Sequence, residues 1–240
     1  MFLGHFAVGF AAKRAAPESS LGPLLAAPLL PDLLWPIFLS IGWERVRIDP
    51  GNTAFTPLAF VSYPISHSLL ATLGWAVGFA LAYFALTRYL TGAVVIALGV
   101  VSHWILDAVS HRPDMPLYPG GETLVGLGLW NSVSGTVIVE GLMFTGGVWA
   151  YATATRPRDR TGRYAFWSLV GFLAVLYVGN VMGPAPPDSR ALVIVGLCAW
   201  LLPFWAWWAD RHRDAVRRPA ASSPPPPWAS GRFIRKPRRR

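Results

Sequence analysis

The sequence predicts an all-α, polytopic membrane protein, a helical bundle of about six transmembrane spans preceded by a short N-terminal re-entrant or interfacial helix. Composition is the first reason. Of 240 residues, 53% are hydrophobic and 14% charged, and the mean hydropathy is +0.41, whereas soluble domains carry about 25% charged residues. The second reason is the run of segments long and apolar enough for a hydrocarbon core of about 30 Å. They fall at Leu21–Ile41, Ser66–Arg88, Thr91–Val109, Val133–Thr155, Tyr164–Gly183 and Ala191–Ala209. The third is charge placement: 21 Lys and Arg face 12 Asp and Glu, with the basic excess gathered after Trp208. No folded basic and aromatic face is visible, so no nucleic-acid partner is expected. One cysteine, Cys198, excludes a disulfide framework and a Cys-based zinc site.

Each segment has its own reading. Met1–Ala12 is apolar but too short to span, and Lys13 and Arg14 stop it. It has no basic leading region and no clear cleavage site, so it reads as a re-entrant or interfacial helix rather than a signal peptide. Pro23, Pro28, Pro31 and Pro36 punctuate the first span, predicting a kink or break around Pro31-Asp32. Loop charges orient the chain. With the N-terminus inside, Lys13, Arg14, Arg88, Arg156, Arg158, Arg160, Arg163 and the basic tail are cytoplasmic, against Arg45, Arg47, Arg112 and Arg190 outside. Both termini are therefore expected in the cytoplasm, consistent with a bacterial inner (plasma) membrane. The membrane-embedded domain is taken as 1–212. The Pro/Arg-rich tail, 213–240, has too little apolar surface to fold and is expected to be disordered. It suits anionic lipid headgroups and equally a solvated, topology-setting tail.

Five titratable residues lie within the spans: Asp32, His67, His103, Asp107 and Glu140. No Lys or Arg accompanies them, and carboxylates at membrane depth need a counter-charge. A divalent cation supplies it, zinc or manganese suiting this donor set; protonation is the competing answer. At a rise of about 1.5 Å per residue, His67 opens its span at the outer end. Asp107 comes about 3 Å in, His103 about 9 Å, Glu140 about 10 Å and Asp32 about 14 Å. All five gather toward one end of the bundle, on the non-cytoplasmic side. In H-W-I-L-D, His103 and Asp107 stand four apart and project from one helix face. Metal binding, a proton or ion pathway, and purely structural polar contacts all remain open on these residues. The loop after the third span, S-H-R-P-D-M-P-L-Y-P, adds His111 and Asp114 near the same end, stiffened by prolines. It reads either as a rigid turn or as a loop holding geometry beside the site. His5 reaches the cluster only if the first helix re-enters the membrane. His212 reads as surface, and Trp200, Trp205, Trp207 and Trp208 read as an interfacial belt.

Five motifs occur in a fixed order: G-H-F-A-V-G, L-L-P-D-L-L-W, S-H-S-L-L, S-H-W-I-L-D-A-V-S-H-R-P-D-M-P-L and L-W-N-S-V-S-G-T-V-I-V-E. Together they resemble the membrane-bound metal-dependent hydrolases of the YdjM type, over residues 1–145. That family is considered distantly similar to zinc-dependent phospholipase C and P1-type nucleases, helical enzymes with His/Asp metal clusters. The resemblance implies that His103 and Asp107 form a His-x-x-x-Asp ligand pair. Asp32 and His67 would be isolated ligands, and His5 an early His ligand. Glu140 matches the Glu of a His-x-x-x-Glu pair whose His is Thr136 here, which favours one or two metals over three. Glu140 is then a ligand or the catalytic base. His111, Asp114, Thr136 and Asn131 are expected to touch the ligands or the substrate. The implied activity is hydrolysis of a phosphoester or other amphiphilic ester. Rival functions are a proton- or ion-coupled transporter component and a non-catalytic membrane scaffold.

Overall fold

A computed structural model describes residues 1–216, and the tail expected at 217–240 lies outside the described residues. Six helical segments are long and apolar enough to cross a membrane, around a shorter N-terminal helix. Helix α1 (Phe2–Ala15) has 14 residues, about 21 Å of rise, so it cannot cross a core of about 30 Å. Its buried face, Leu3, His5, Phe6 and Phe10, wedges between α2 (Leu21–Ser40), α5 (Leu90–Ser110) and α6 (Val133–Ala154). Of the two expected placements, an interfacial helix lying outside the bundle is not seen: α1 packs among the spans. Gly147 permits the α1–α6 crossing: a Cβ there would lie 2.4 Å from Ala7 O. Small residues let backbones approach where lipid gives helices no hydrophobic reason to associate. Gly147→Val is expected to separate α1 from α6, and a fall of several degrees in the detergent melting temperature checks this.

Helix α2 does not break at Pro31-Asp32, one of the two outcomes expected from its prolines. It runs unbroken through Pro28, Pro31 and Pro36, all buried. Protein rather than lipid surrounds these backbone groups, and neighbours reach in. His103 Nδ1 donates to Pro28 O at 2.8 Å and Trp200 Nε1 to Leu33 O at 3.0 Å. A hairpin of β1 (Arg45–Ile48) and β2 (Leu58–Ser62) follows, antiparallel, pairing Ile48 with Leu58. Composition gave no sign of it.

The expected span from Ser66 is divided. A four-residue helix, α3 (Pro64–His67), stops at Ser68, where ψ is 148°. The Ser68 hydroxyl then accepts from Ala71 N at 3.2 Å and starts α4 (Leu69–Thr87). After α5, a pair of two-residue strands, β3 (Met115–Pro116) and β4 (Leu124–Val125), shapes the loop into α6. The last expected span runs from Ser189 to Arg211, with a tightened turn at Ala199-Trp200, both in helical backbone conformation, between α8 (Ser189–Cys198) and α9 (Leu201–Arg211). Both pieces pack on α2, and α9 also packs on α7 (Arg160–Met182).

The end of the bundle opposite the hairpin is tied by a buried polar knot. Lys13 Nζ donates to Asp210 Oδ2 at 2.8 Å and to Ser19 O at 2.7 Å. Asp210 also accepts from Leu21 N at 3.1 Å and Tyr151 OH at 2.6 Å. One carboxylate thus joins α1, α2, α6 and α9. Strand β5 (Thr155–Pro157) pairs with β6 (Arg213–Ala215) beside it. That pairing corrects the expected start of the disordered tail, because residues 213–215 are strand. Outward helix faces stay apolar, as at Leu81, Leu98, Leu142 and Val175, which is the surface an integral membrane protein presents to lipid.

Candidate metal centre

At the hairpin end, four histidines and two aspartates converge. The C-terminal half of α5 supplies His103 and Asp107 one turn apart, and Gly99, one turn earlier, brings α5 against α2, since a Cβ there would meet Ala27 Cβ at 3.0 Å. That contact seats His103 on the Pro28 carbonyl. His103 Nε2 lies 3.0 Å from Asp107 Oδ2. From α1, His5 Nε2 meets Asp107 Oδ1 at 3.0 Å, and its ring stacks on His103 at 4.0 Å between centroids. The amino nitrogen of Met1 also lies against Asp107 Oδ1. From α3, His67 Nε2 is 3.4 Å from Asp32 Oδ1 and 3.8 Å from Asp107 Oδ2. His111, just past α5, has Nε2 at 3.8 Å from Asp107 Oδ2. All are buried except Asp32, whose side chain is 44% exposed. Asp32 is the open side of the cluster.

The far nitrogens of these rings fix what the near ones present. His103 Nδ1 faces the Pro28 carbonyl, which only accepts, so Nδ1 carries the hydrogen. His67 Nδ1 is 2.6 Å from Ser66 Oγ. Ser66 donates its single proton to Glu44 Oε2 at 2.6 Å, while Glu44 Oε1 accepts from Ile65 N and Ser66 N. His67 Nδ1 must therefore donate to Ser66. His111 Nδ1 donates to Asp114 Oδ1 at 2.9 Å, and Tyr63 OH donates to the same carboxylate oxygen at 3.0 Å. Burial holds the His111 pKa below its ordinary value and favours the neutral ring. With Nδ1 engaged on the far side, all three rings aim Nε2 at the Asp32 and Asp107 carboxylates. Lone pairs facing carboxylate oxygens repel, so protons or a cation must stand between them.

The donor set fits a divalent cation. Bonds of about 2.1 Å at a tetrahedral angle put ligand atoms roughly 3.4 Å apart, and the contacts above run from 3.0 to 3.8 Å. His5, His103 and Asp107 form one group with ligand atoms within 4.8 Å of one another, and Asp32, His67 and His103 another. His103 Nε2 and His5 Nδ1 are buried without a hydrogen-bond partner. Ring nitrogens pinned by carbonyl and carboxylate acceptors are the usual outer layer of a histidine metal site.

No family model, curated protein or solved structure matches the chain. The site is therefore read from its own geometry.

Other expected residues divide clearly. His111 and Asp114 are part of the cluster, so the loop holds geometry rather than merely turning. Glu140 sits at the same depth, where Oε2 accepts from Leu3 N and Gly4 N and anchors the first turn of α1. Its Oε1 is buried and unpartnered. Thr136 is buried, but its hydroxyl donates to Leu129 O and Ser132 O at the start of α6. Asn131 is exposed in the turn Leu129–Asn131. Asn131 stands in the turn leading into α6 and Thr136 in the first turn of that helix, and neither makes a hydrogen bond to a cluster residue. Sequence reasoning missed Glu44, Ser66 and Tyr63, which hold the rings of His67 and His111. The only local signal was Ser66 preceding His67; Glu44 and Tyr63 are brought in by the hairpin.

Proposed function

We propose that this chain is a membrane-embedded metal-dependent hydrolase acting on a phosphoester or other amphiphilic ester. The observation that carries the reading is the convergence of three Nε2 atoms, on His67, His103 and His111, on the Asp32 and Asp107 carboxylates, each ring's Nδ1 being engaged on the far side. The motif order that resembles the YdjM-type hydrolases points the same way. His67, His103 and Asp107 would hold the ion, with Asp32 and His5 as further ligands; zinc suits these donors best and manganese is the alternative. A divalent ion there supplies Lewis acidity, making water nucleophilic near neutral pH and polarising a phosphoryl or acyl oxygen. Ser66, Glu44, Asp114 and the Pro28 carbonyl keep the imidazole lone pairs directed inward. Asp32 lines the opening through which a substrate reaches the cluster. Glu140 would accept on its free Oε1 the proton lost by the attacking water while Oε2 keeps α1 in register.

Charge placement in the loops supports the Lys13–Asp210 end and the C-terminal segment on the cytoplasmic side of a bacterial inner membrane and the cluster toward the non-cytoplasmic side; the Met1 amino group, buried against Asp107, lies at the cluster end, so the expected cytoplasmic N-terminus does not fit this placement. Substrates would be amphiphiles approaching from the lipid or the headgroup layer, and the basic tail would meet anionic headgroups on the other face.

Glu140 gives the test. On zinc-loaded protein in detergent, bis(p-nitrophenyl) phosphate and a fluorogenic phospholipid are the substrates. Glu140→Gln keeps an oxygen for the α1 amides but cannot accept the proton. Its kcat is expected to fall about 100-fold or more, with metal content unchanged. Glu140→Ala is expected to lose stability as well. Full activity in Glu140→Gln removes the base role, and no hydrolysis by metal-loaded wild type contradicts the enzyme reading.

A further inference from the structure

A second feature lies beside the centre. A cleft of about 710 Å³ opens between the end of α2, the hairpin and the start of α8. Arg45 of β1 and Arg190 of α8 both line it. Neither guanidinium has an ion-pair partner among the described residues. The one carboxylate in the wall is Glu44, which is 1% exposed and turned inward onto Ile65 N, Ser66 N and Ser66 Oγ. Asp188, next to the cleft in sequence, is committed to capping α8 through Ala191 N. The cleft therefore presents two guanidiniums with no carboxylate in ion-pair contact among the described residues. Leu39, Val46, Val61, Val193 and Ile194 give it an apolar wall, interrupted by Ser40 and Ser189. It lies at the end of the spans, where headgroups begin, and Glu44 links it through Ser66 to His67.

Paired guanidiniums above an apolar wall match one ligand chemistry, a phosphate carried on an acyl chain. Arginine forks suit phosphate oxygens, and the aliphatic wall takes the start of the chain. We infer that this cleft binds the phosphate of an anionic amphiphile through Arg45 and Arg190. The inference rests on the hydrolase reading only for its consequence: an amphiphile held here is presented to the adjacent centre, which narrows the substrate class to anionic phospholipids. Binding itself needs no turnover.

The test is a titration of purified, chelator-treated protein with dihexanoyl phosphatidic acid below its micelle concentration, followed by calorimetry. Wild type is expected to bind, and Arg45→Gln/Arg190→Gln to bind at least tenfold more weakly. Arg45→Lys/Arg190→Lys is expected to recover part of the loss, separating charge from misfolding. Inorganic phosphate, lacking the chain, is expected to bind at least tenfold more weakly than the lipid; equal affinity would assign the cleft to free phosphate and overturn the amphiphile assignment. Asp107→Asn is expected to bind the lipid as wild type does, whatever becomes of the hydrolase reading. An unchanged Kd in the double Gln variant, or loss of binding in Asp107→Asn, overturns the proposal.

Discussion

Asp210→Ala is expected to destabilise the protein by about 3–5 kcal/mol, the cost of leaving one member of a buried ion pair without its partner. The Lys13 ammonium and the Asp210 carboxylate are each 7% exposed. Removing the carboxylate leaves the Lys13 ammonium without its counter-charge, with Ser19 O its remaining acceptor, and takes the acceptor from Tyr151 OH and Leu21 N, each a buried donor with a desolvation cost of its own. Lys13→Met/Asp210→Leu is expected to cost less than Asp210→Ala, because it removes both charges and fills the space. Thermal unfolding in detergent measures both. Equal losses in the two variants would show that the knot acts through packing alone. The metal centre should survive in the folded fraction, since the knot lies at the other end of the bundle.

Glu44→Gln is the second large effect, and it acts at a distance. Glutamine keeps an oxygen for Ile65 N and Ser66 N, but its NH₂ donates to Ser66 Oγ. The Ser66 proton then turns toward His67 Nδ1, and His67 carries its hydrogen on Nε2, where no lone pair remains for a ligand. Zinc affinity, read by competition with a chromophoric chelator, is expected to fall about 10–100-fold, the usual effect of losing an outer partner. Ser66→Ala is expected to fall in the same range by releasing the ring. Unchanged affinity in both variants would exclude His67 as a ligand.

Much of this was legible in the sequence. The six spans follow from hydropathy, and the cluster from asking which titratable residues sit in apolar segments without basic partners. His103 and Asp107 were legible because four residues make one helical turn. His5 was legible only conditionally, since its placement depends on α1 turning into the bundle, which Gly147 and Ala7 decide by close contact. The continuity of α2 was not legible, because local rules break a helix at proline and only the enclosing helices override them. At Ala199-Trp200 the local breaker is Pro203, which has no N–H for the Ala199 carbonyl four residues back; Gly196 packing on Pro36 and Trp200 reaching Leu33 are tertiary contacts beside it. Glu44 and Tyr63 were invisible for a related reason. They come from the segment between spans, and only the hairpin brings them to Ser66 and Asp114.

The most direct test of the central claim is the metal content of the purified protein. Elemental mass spectrometry on wild type, beside His103→Ala/Asp107→Ala, should find one or two equivalents of zinc or manganese in the first and almost none in the second. No bound metal in wild type, even after dialysis against divalent ions, would mean that protons face Asp32 and Asp107, and the hydrolase reading would give way to a proton pathway or a structural cluster.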